Sequence, residues 1–258
     1  MNRLKFGAAV AKSGAMEADT ISKNGRSSKS QTSRSQILSY FVIAAFAVVV
    51  SFTSCGGGSG SSGSGSGKRS GKIKITTEIQ SSSFYLCGNG VATVDWGDGS
   101  EKVSQTLSEN GIRFQYKYPN ASIRTITING DNITSLFRDS YDYIFATTTS
   151  LDVSLCTELT ELIIQSSQLT ILDVSKNTAL TRLKFNYSPL TSLDVSKNTA
   201  LIDLDCSGNQ LTSSALNALF ETLHNSAEEK RIYLMSTPGE GDCNRSIAEN
   251  KGWRFCRF

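Results

Sequence analysis

A single histidine, His224, stands in 258 residues, and that scarcity removes the histidine-based nucleophile triads and the His-rich metal motifs from consideration. There is no H-E-x-x-H, no Walker loop and no dinucleotide fingerprint set between a strand and a helix. No C-x-x-C pair occurs among the six cysteines, so no thiolate metal site is signalled and no cofactor is expected. No apolar run reaches the roughly 20 residues that span a bilayer as a helix; Ile37 to Val50 is 14 residues long. Basic residues are also not concentrated where they could grip phosphates. The chain holds 26 basic and 23 acidic residues, but seven basic and two acidic ones precede Cys55, which leaves 19 against 21 and a net charge of −2. Nucleic acid is therefore not an expected partner.

What is present is repetition. Leu151-Asp-Val-Ser154, Leu172-Asp-Val-Ser175 and Leu193-Asp-Val-Ser196 stand 21 residues apart. Large apolar residues keep the same register: Leu159, Leu180, Leu201; Leu162, Leu183, Leu204; Leu169, Leu190, Leu211. This period and its L-x-x-L-x-L-x-x-N-x-L spacing resemble leucine-rich repeats, in which each unit gives one short strand that needs a neighbour to bury its apolar edge. Ile133 to Leu136, with Tyr141 and Tyr143 placed 21 residues before Leu162 and Ile164, reads as a degenerate opening rung. Beyond the repeats, Ala215, Leu216, Leu219, Phe220 and Leu223 predict an amphipathic cap helix, followed by a strand at Arg231 to Met235 and a short helix at Ser246 to Lys251. Asp and Ser of the D-V-S-K-N phrase suit the turn backbone, and Asn177 and Asn198 suit positive φ there. Cys206, in the inward column of Ile164 and Phe185, reads as a buried small hydrophobe.

The apolar run at 37–50 follows a basic lead and precedes small residues and Cys55, the pattern of an export signal rather than of a membrane span. It resembles a bacterial lipoprotein signal, which implies that residues 1–54 are removed and that Cys55 carries the lipid anchor. Residues 55–71, almost all Gly and Ser, read as a flexible tether reaching about 20 to 25 Å. Cys243 and Cys256 bracket the C-terminal passage and are the candidate disulfide in an oxidising export compartment.

Residues 72–136 read as short strands at 72–79, 83–86, 91–96, 112–118 and 123–129, a small antiparallel β-sandwich, with Asp98-Gly99 as a type I′ hairpin turn. Val94-Asp-Trp96-Gly-Asp98-Gly99, with Tyr118-Pro-Asn-Ala and Ile123-Arg-Thr-Ile-Thr-Ile128, resembles the W-G-D-G and Tyr patterns of PKD-like (polycystic kidney disease type) domains. Asp95 and Asp98 are explained by turn chemistry in preference to ion binding. The C-terminal Gly241 to Trp253 passage, with Leu-Asp-Val-Ser-Lys-Asn-Thr-Ala-Leu, resembles leucine-rich repeat lipoproteins of Gram-negative anaerobes. That resemblance implies an outer-membrane envelope protein used in protein or glycan contact.

The expected fold is thus mainly β with some α: a sandwich, then a short leucine-rich repeat solenoid over 137–258 with a C-terminal helical cap. Candidate ligand-binding residues are those flanking the buried leucines: Glu161, Ile163 and Gln165; Arg182, Lys184 and Asn186; Asp203, Asp205 and Ser207; Arg231, Tyr233 and Met235. Opposite charges alternate along this face, so Glu161, Arg182 and Asp203, and likewise Lys184 and Asp205, are expected to pair. Ile163, Tyr233 and Met235 are the expected hot spots. The reading is a non-enzymatic binding module; the alternatives are an assembly subunit docked permanently on another envelope protein, and a hydrolase using paired carboxylates on solvent-facing repeat positions.

Overall fold

The computed structural model describes residues 70–138 and 144–257. Cys55, the Gly/Ser tether up to Arg69, Tyr141 and Tyr143 lie outside the described residues. The described chain is mainly β: strands β1 (Ser70–Gly88), β2 (Gly90–Asp95), β3 (Val103–Leu107), β4 (Ile112–Asp131), β5 (Ile133–Arg138), β6 (Thr148–Asp152), β7 (Glu161–Gln165), β8 (Arg182–Asn186), β9 (Asp203–Asp205), β10 (Lys230–Tyr233) and β11 (Trp253–Phe255), with helices α1 (Ser213–Thr222) and α2 (Ser246–Glu249). All strands join one open sheet in the order β11-β10-β9-β8-β7-β5-β1-β4-β2-β3, with β6 added to β1.

The first half departs from five short strands. The predicted strands at 72–79 and 83–86 fuse into β1, and those at 112–118 and 123–129 fuse into β4. β1 and β4 pair antiparallel along both halves, with the register slipping between Ile79 and Ser81. Opposite that slip stands Pro119, which has no N–H to give a ladder, so the register shifts there without ending the pairing. Alternation buries Ile73, Ile75, Phe84, Phe114, Ile126 and Ile128. Phe84 and Phe114, which face each other across the ladder, stack at 5.9 Å, and Phe84 also meets Trp96 at 5.9 Å. β3, which alternation alone does not announce, pairs with β2.

The Asp98-Gly99 pair is not a two-residue turn. β2 ends at Asp95 and β3 starts at Val103, and positive φ falls on Gly97 and Gly99, not on Asp98. The loop is held by side chains instead: Gly97 N donates to Asp95 Oδ1 at 3.0 Å, Ser100 N to Asp98 Oδ1 at 3.0 Å, Tyr116 OH to Asp98 Oδ2 at 2.9 Å and Tyr118 OH to Trp96 O at 2.9 Å. Lys102 Nζ takes the other Asp95 oxygen at 3.1 Å. Each carboxylate is thus engaged by the turn and its flank, and both are held below the ordinary carboxylate range, Asp95 first by the Gly97 amide and Asp98 first by Ser100.

β5 joins the two halves. It pairs antiparallel with β1, Leu86 opposite Leu136, and parallel with β7, Leu136 opposite Leu162. The expected boundary at 136/137 therefore falls inside a strand bonded on both sides. The opening rung is also in a different register from the one expected: Leu136 and Phe137 precede their partners Leu162 and Ile163 by 26 residues, not 21. β6, carrying Leu151 of the first repeat phrase, pairs with the N-terminal half of β1. From β7 onward the 21-residue units stack as parallel strands, Leu162 opposite Leu183 and Leu183 opposite Leu204. Leu159, Leu162, Ile164, Leu180, Leu183, Phe185, Leu201, Leu204 and Cys206 are all buried, as the columns require.

Asn177 and Asn198 correct another expectation. Neither has positive φ; both are buried. Asn177 Nδ2 donates to Val153 O at 3.0 Å and Cys156 O at 2.8 Å, and Asn198 Nδ2 repeats this one unit later to Val174 O and Asn177 O. A short amide donor inside each corner ties its unit to the preceding one. The positive φ values fall elsewhere, on Ser166, Tyr187, Gly208 and Ser236, the residues where each strand turns out of the face. The Asp turns are as expected: Ser154, Ser175 and Ser196 amides donate to Asp152, Asp173 and Asp194 at 3.0, 2.9 and 2.8 Å.

At the C-terminal end, α1 is capped by Thr212, whose hydroxyl accepts from Ala215 N at 3.2 Å, and buries Leu216, Leu219 and Phe220. Trp253 Nε1 donates to His224 O at 3.0 Å. The strand at Arg231 is present, and β11, unexpected from the sequence, adds a last parallel strand beside it.

Candidate functional site

Parallel pairing brings the twelve candidate residues onto one face. In register, Glu161, Arg182, Asp203 and Arg231 form one row, and Ile163, Lys184, Asp205 and Tyr233 the next. Gln165 faces Asn186 in a third, where alternation adds Ser207 and Met235. Phe137 extends the second row beyond Ile163 and was missed, because the opening rung is offset by five residues from the repeat. Its ring stacks on Tyr85 at 5.2 Å.

The first row is a charge ladder. Arg182 Nη1 donates to Glu161 Oε1 at 2.6 Å, its Nε lies 3.6 Å from Asp203 Oδ2, and Arg231 Nη2 lies 3.9 Å from the same oxygen. Such partly exposed pairs contribute tenths to about 1 kcal/mol each, so they set register more than stability. In the second row the expected Lys184–Asp205 pair is replaced: Asp205 Oδ2 accepts from Asn186 Nδ2 at 2.9 Å and Oδ1 from Ser207 N at 3.0 Å. A carboxylate two residues before an amide makes this turn locally, and the strand-adjacent amide reaches it without the entropy cost of fixing a lysine stem.

Burial separates the twelve. Asp203, Asp205, Asn186 and Ser207 are 6%, 1%, 5% and 1% exposed, so the strand-face carboxylates are not solvent-facing as expected. Asp203 and Asp205 are short side chains between longer ones in register, Arg182 and Lys184 on one side and Arg231 and Tyr233 on the other. The other eight, including Ile163, Tyr233 and Met235, are half-buried. Tyr187, which heads the strand exit, is an exposed aromatic that the sequence did not single out.

Other chemistry is accounted for by structure. His224 uses both ring nitrogens: Nε2–H donates to Leu201 O at 2.6 Å, and Nδ1 accepts from Ser226 N at 3.3 Å. Lys230, buried, donates to Ser226 O in the same corner. All five described cysteines carry free thiols; Cys243 Sγ contacts Glu240 O and Cys256 Sγ contacts Arg254 O, so the candidate bridge between them is not formed here. Burial pushes the Cys156 thiol up to about 12 and raises the Cys206 thiol as well. Among the described residues no three His, Cys, Asp or Glu groups are placed to hold a metal ion, and no helix is long and apolar enough to cross a membrane.

The fold and face define a mainly-β protein built on one open sheet, with 21-residue units stacked as parallel strands. No family profile matches the chain, and no curated protein matches it. Among solved structures, the functional domain of InlJ from Listeria monocytogenes, which includes a cysteine ladder, is similar at 32% identity over 40% of this chain, with a TM-score of 0.32. The match spans 21% of that chain, about a fifth of its length.

Proposed function

We propose that this chain is a lipid-anchored envelope protein that presents the strand face of a short leucine-rich repeat array to protein or glycan and carries out no catalysis. The observation that carries the reading is the face itself: strands β5 and β7 to β10 set an unbroken row of side chains side by side, with apolar Phe137 and Ile163 at one end and polar groups at the other. Extended concave or flat strand surfaces of this kind suit recognition, since each unit adds contact area without a pocket. Among the described residues the groups that could serve as a base are engaged in structure, which is in keeping with the non-enzymatic half: the single imidazole serves a loop corner, and Asp203 and Asp205 are held by neighbouring arginines, an amide and a backbone N–H. The anchoring half rests on the lead, Cys55 and the Gly/Ser tether.

Two measurements test it. Metabolic labelling with a fatty-acid probe should mark the wild-type chain in the membrane fraction, and Cys55→Ala should lose both label and membrane retention; an unlabelled wild type refutes the anchor. An epitope after Phe258 should be removed by proteinase on intact cells, which places the face outside; protection until lysis refutes adhesion and directs the search to a periplasmic partner.

A further inference from the structure

The binding-module reading leaves the ligand open, and β9 narrows it. Asp203 and Asp205, with Ser207 where ladder bonds continue past the strand, are 6%, 1% and 1% exposed and form the covered floor of a furrow whose walls beside the two carboxylates are the longer Arg182 and Lys184 of β8 and Arg231 and Tyr233 of β10. Three floor and end-wall oxygens, Asp203 Oδ1, Asn186 Oδ1 and Ser207 Oγ, are buried and have no hydrogen-bond partner among the described residues. The unpaired Oδ1 atoms of Asn177, Asn198 and Asn209 are a different case: they sit in the amide donors of the repeat corners. The furrow oxygens come from two strands and three residue types, within one patch tied together by the Asn186–Asp205 bond.

An unmet buried acceptor is costly, and Arg182 Nε in the adjoining wall is a buried donor without a hydrogen-bond partner among the described residues, so this patch suits a ligand whose hydroxyls both donate and accept. Charge decides which kind. Arg182, Lys184 and Arg231 stand against Glu161, Asp203 and Asp205, three against three, and a neutral patch gives neither a cation nor an anion a net attraction. The far end supplies an apolar platform. Tyr187, at φ 55 and 57% exposed, packs its ring directly on Gly208, where an added Cβ would meet the ring at 2.5 Å. A neutral molecule with hydroxyls along its rim and C–H groups on its faces is a sugar ring. We infer that the β9 furrow, from Asp203 to Ser207 with Tyr187 at its end, is a binding subsite for a neutral saccharide. Lys184, which makes no ion pair among the described residues, is the wall side chain that swings aside to admit it. This rests on the proposal that the strand face is a contact surface, and it commits that surface to glycan.

The test uses the full chain on a printed array of neutral oligosaccharides of gluco, manno, galacto and xylo configuration, followed by calorimetric titration of the best one. Binding should persist in EDTA and in about 0.5 M salt, where surface charge attraction is largely screened. Tyr187→Gly, which removes the ring while easing the left-handed backbone, should weaken it about tenfold, and Ser207→Ala by a similar factor. Because Tyr187→Gly does not threaten the fold, its result is decisive even where Ser207→Ala is unstable. A blank array, loss of binding in EDTA, or affinity unchanged in both variants each overturns the subsite. Lipid labelling and proteinase accessibility probe the envelope reading independently, so a blank array on a labelled, surface-exposed chain refutes the saccharide alone.

Discussion

Removing the amide of Asn198 tests how the units are held together. Its Nδ2 donates to Val174 O at 3.0 Å and to Asn177 O at 2.8 Å, inside a fully buried corner. Each carbonyl keeps a second donor, Asn177 N on Val174 O and Leu180 N on Asn177 O, so Asn198→Ala orphans neither. The loss is then two net hydrogen bonds at about 0.5 to 1.5 kcal/mol each, plus about 1 kcal/mol for the small void left by the amide. Against this, the unpaired buried Oδ1 of Asn198 is also removed, which returns about 1 kcal/mol. The balance is a destabilisation of about 1 to 3 kcal/mol in urea unfolding. Asn198→Asp keeps the shape but turns acceptors toward two carbonyls in a buried site, and should cost more than the alanine. Lys197→Ala, one residue away and exposed, is the control and should stay within about 0.5 kcal/mol. If Asn198→Ala is as mild as the control, or Asn198→Asp is milder than Asn198→Ala, the corner is not held by this amide and the account of inter-unit bonding is wrong.

Three further outcomes are expected. Serine hydrogen bonds hold Asp152, Asp173 and Asp194 below the ordinary carboxylate range, Asp152 first through the Ser154 side chain and the other two first through the Ser175 and Ser196 amides. Because these folded-state values are depressed, their contribution is complete above the ordinary value of about 3.9 and is lost as pH falls through the lowered ones; the triple Asp→Asn variant should show a shallower acid limb in pH-dependent unfolding, and an unaltered limb refutes the assignment. Native alkylation followed by mass spectrometry should modify Cys243 and Cys256, both partly exposed, well before the buried Cys87, Cys156 and Cys206, whose thiols burial raises; early labelling of Cys206 would contradict its core position. Gly208→Ala places a Cβ at positive φ against the Tyr187 ring and should cost about 1 to 2 kcal/mol, part of it recovered in the double variant with Tyr187→Gly. Full additivity in that cycle would mean the ring does not rest on Gly208.

Which features were legible follows from how local their cause is. The inward leucine columns, the Asp turns and the cap helix depend on spacing within one unit, and each is found where spacing placed it. The continuous β1 and β4 strands, the 26-residue step from Leu136 to Leu162, and β11 depend on pairing between distant segments, about which a periodic pattern is silent. Asn177 and Asn198 show the same limit at one residue type: asparagine suits both a left-handed turn and a buried donor, and only the preceding unit's carbonyls decide between them. That the face residues share one side was legible, since alternation fixes it. Their burial was not, because it depends on the lengths of side chains one strand away.

That last point bears on what this surface can recognise. A row of opposite charges in register does not offer itself to a charged partner, since Arg182 is already divided between Glu161 and Asp203 and Arg231 shares the same Asp203 oxygen. What such a ladder provides is a fixed spacing for the short residues between its members. Asp205 gains its depth from Lys184 and Tyr233 beside it, and its fixed orientation from the Asn186 amide and the Ser207 backbone N–H. Shortening a wall should therefore change selectivity before it changes stability: Lys184→Ala opens the furrow without removing any hydrogen bond described above. It should leave the unfolding midpoint within the scatter of surface substitutions, about 0.5 kcal/mol, while broadening the range of oligosaccharides retained on the array. A large drop in stability would show instead that Lys184 holds the face together, and the furrow would then be a packed seam rather than an opening.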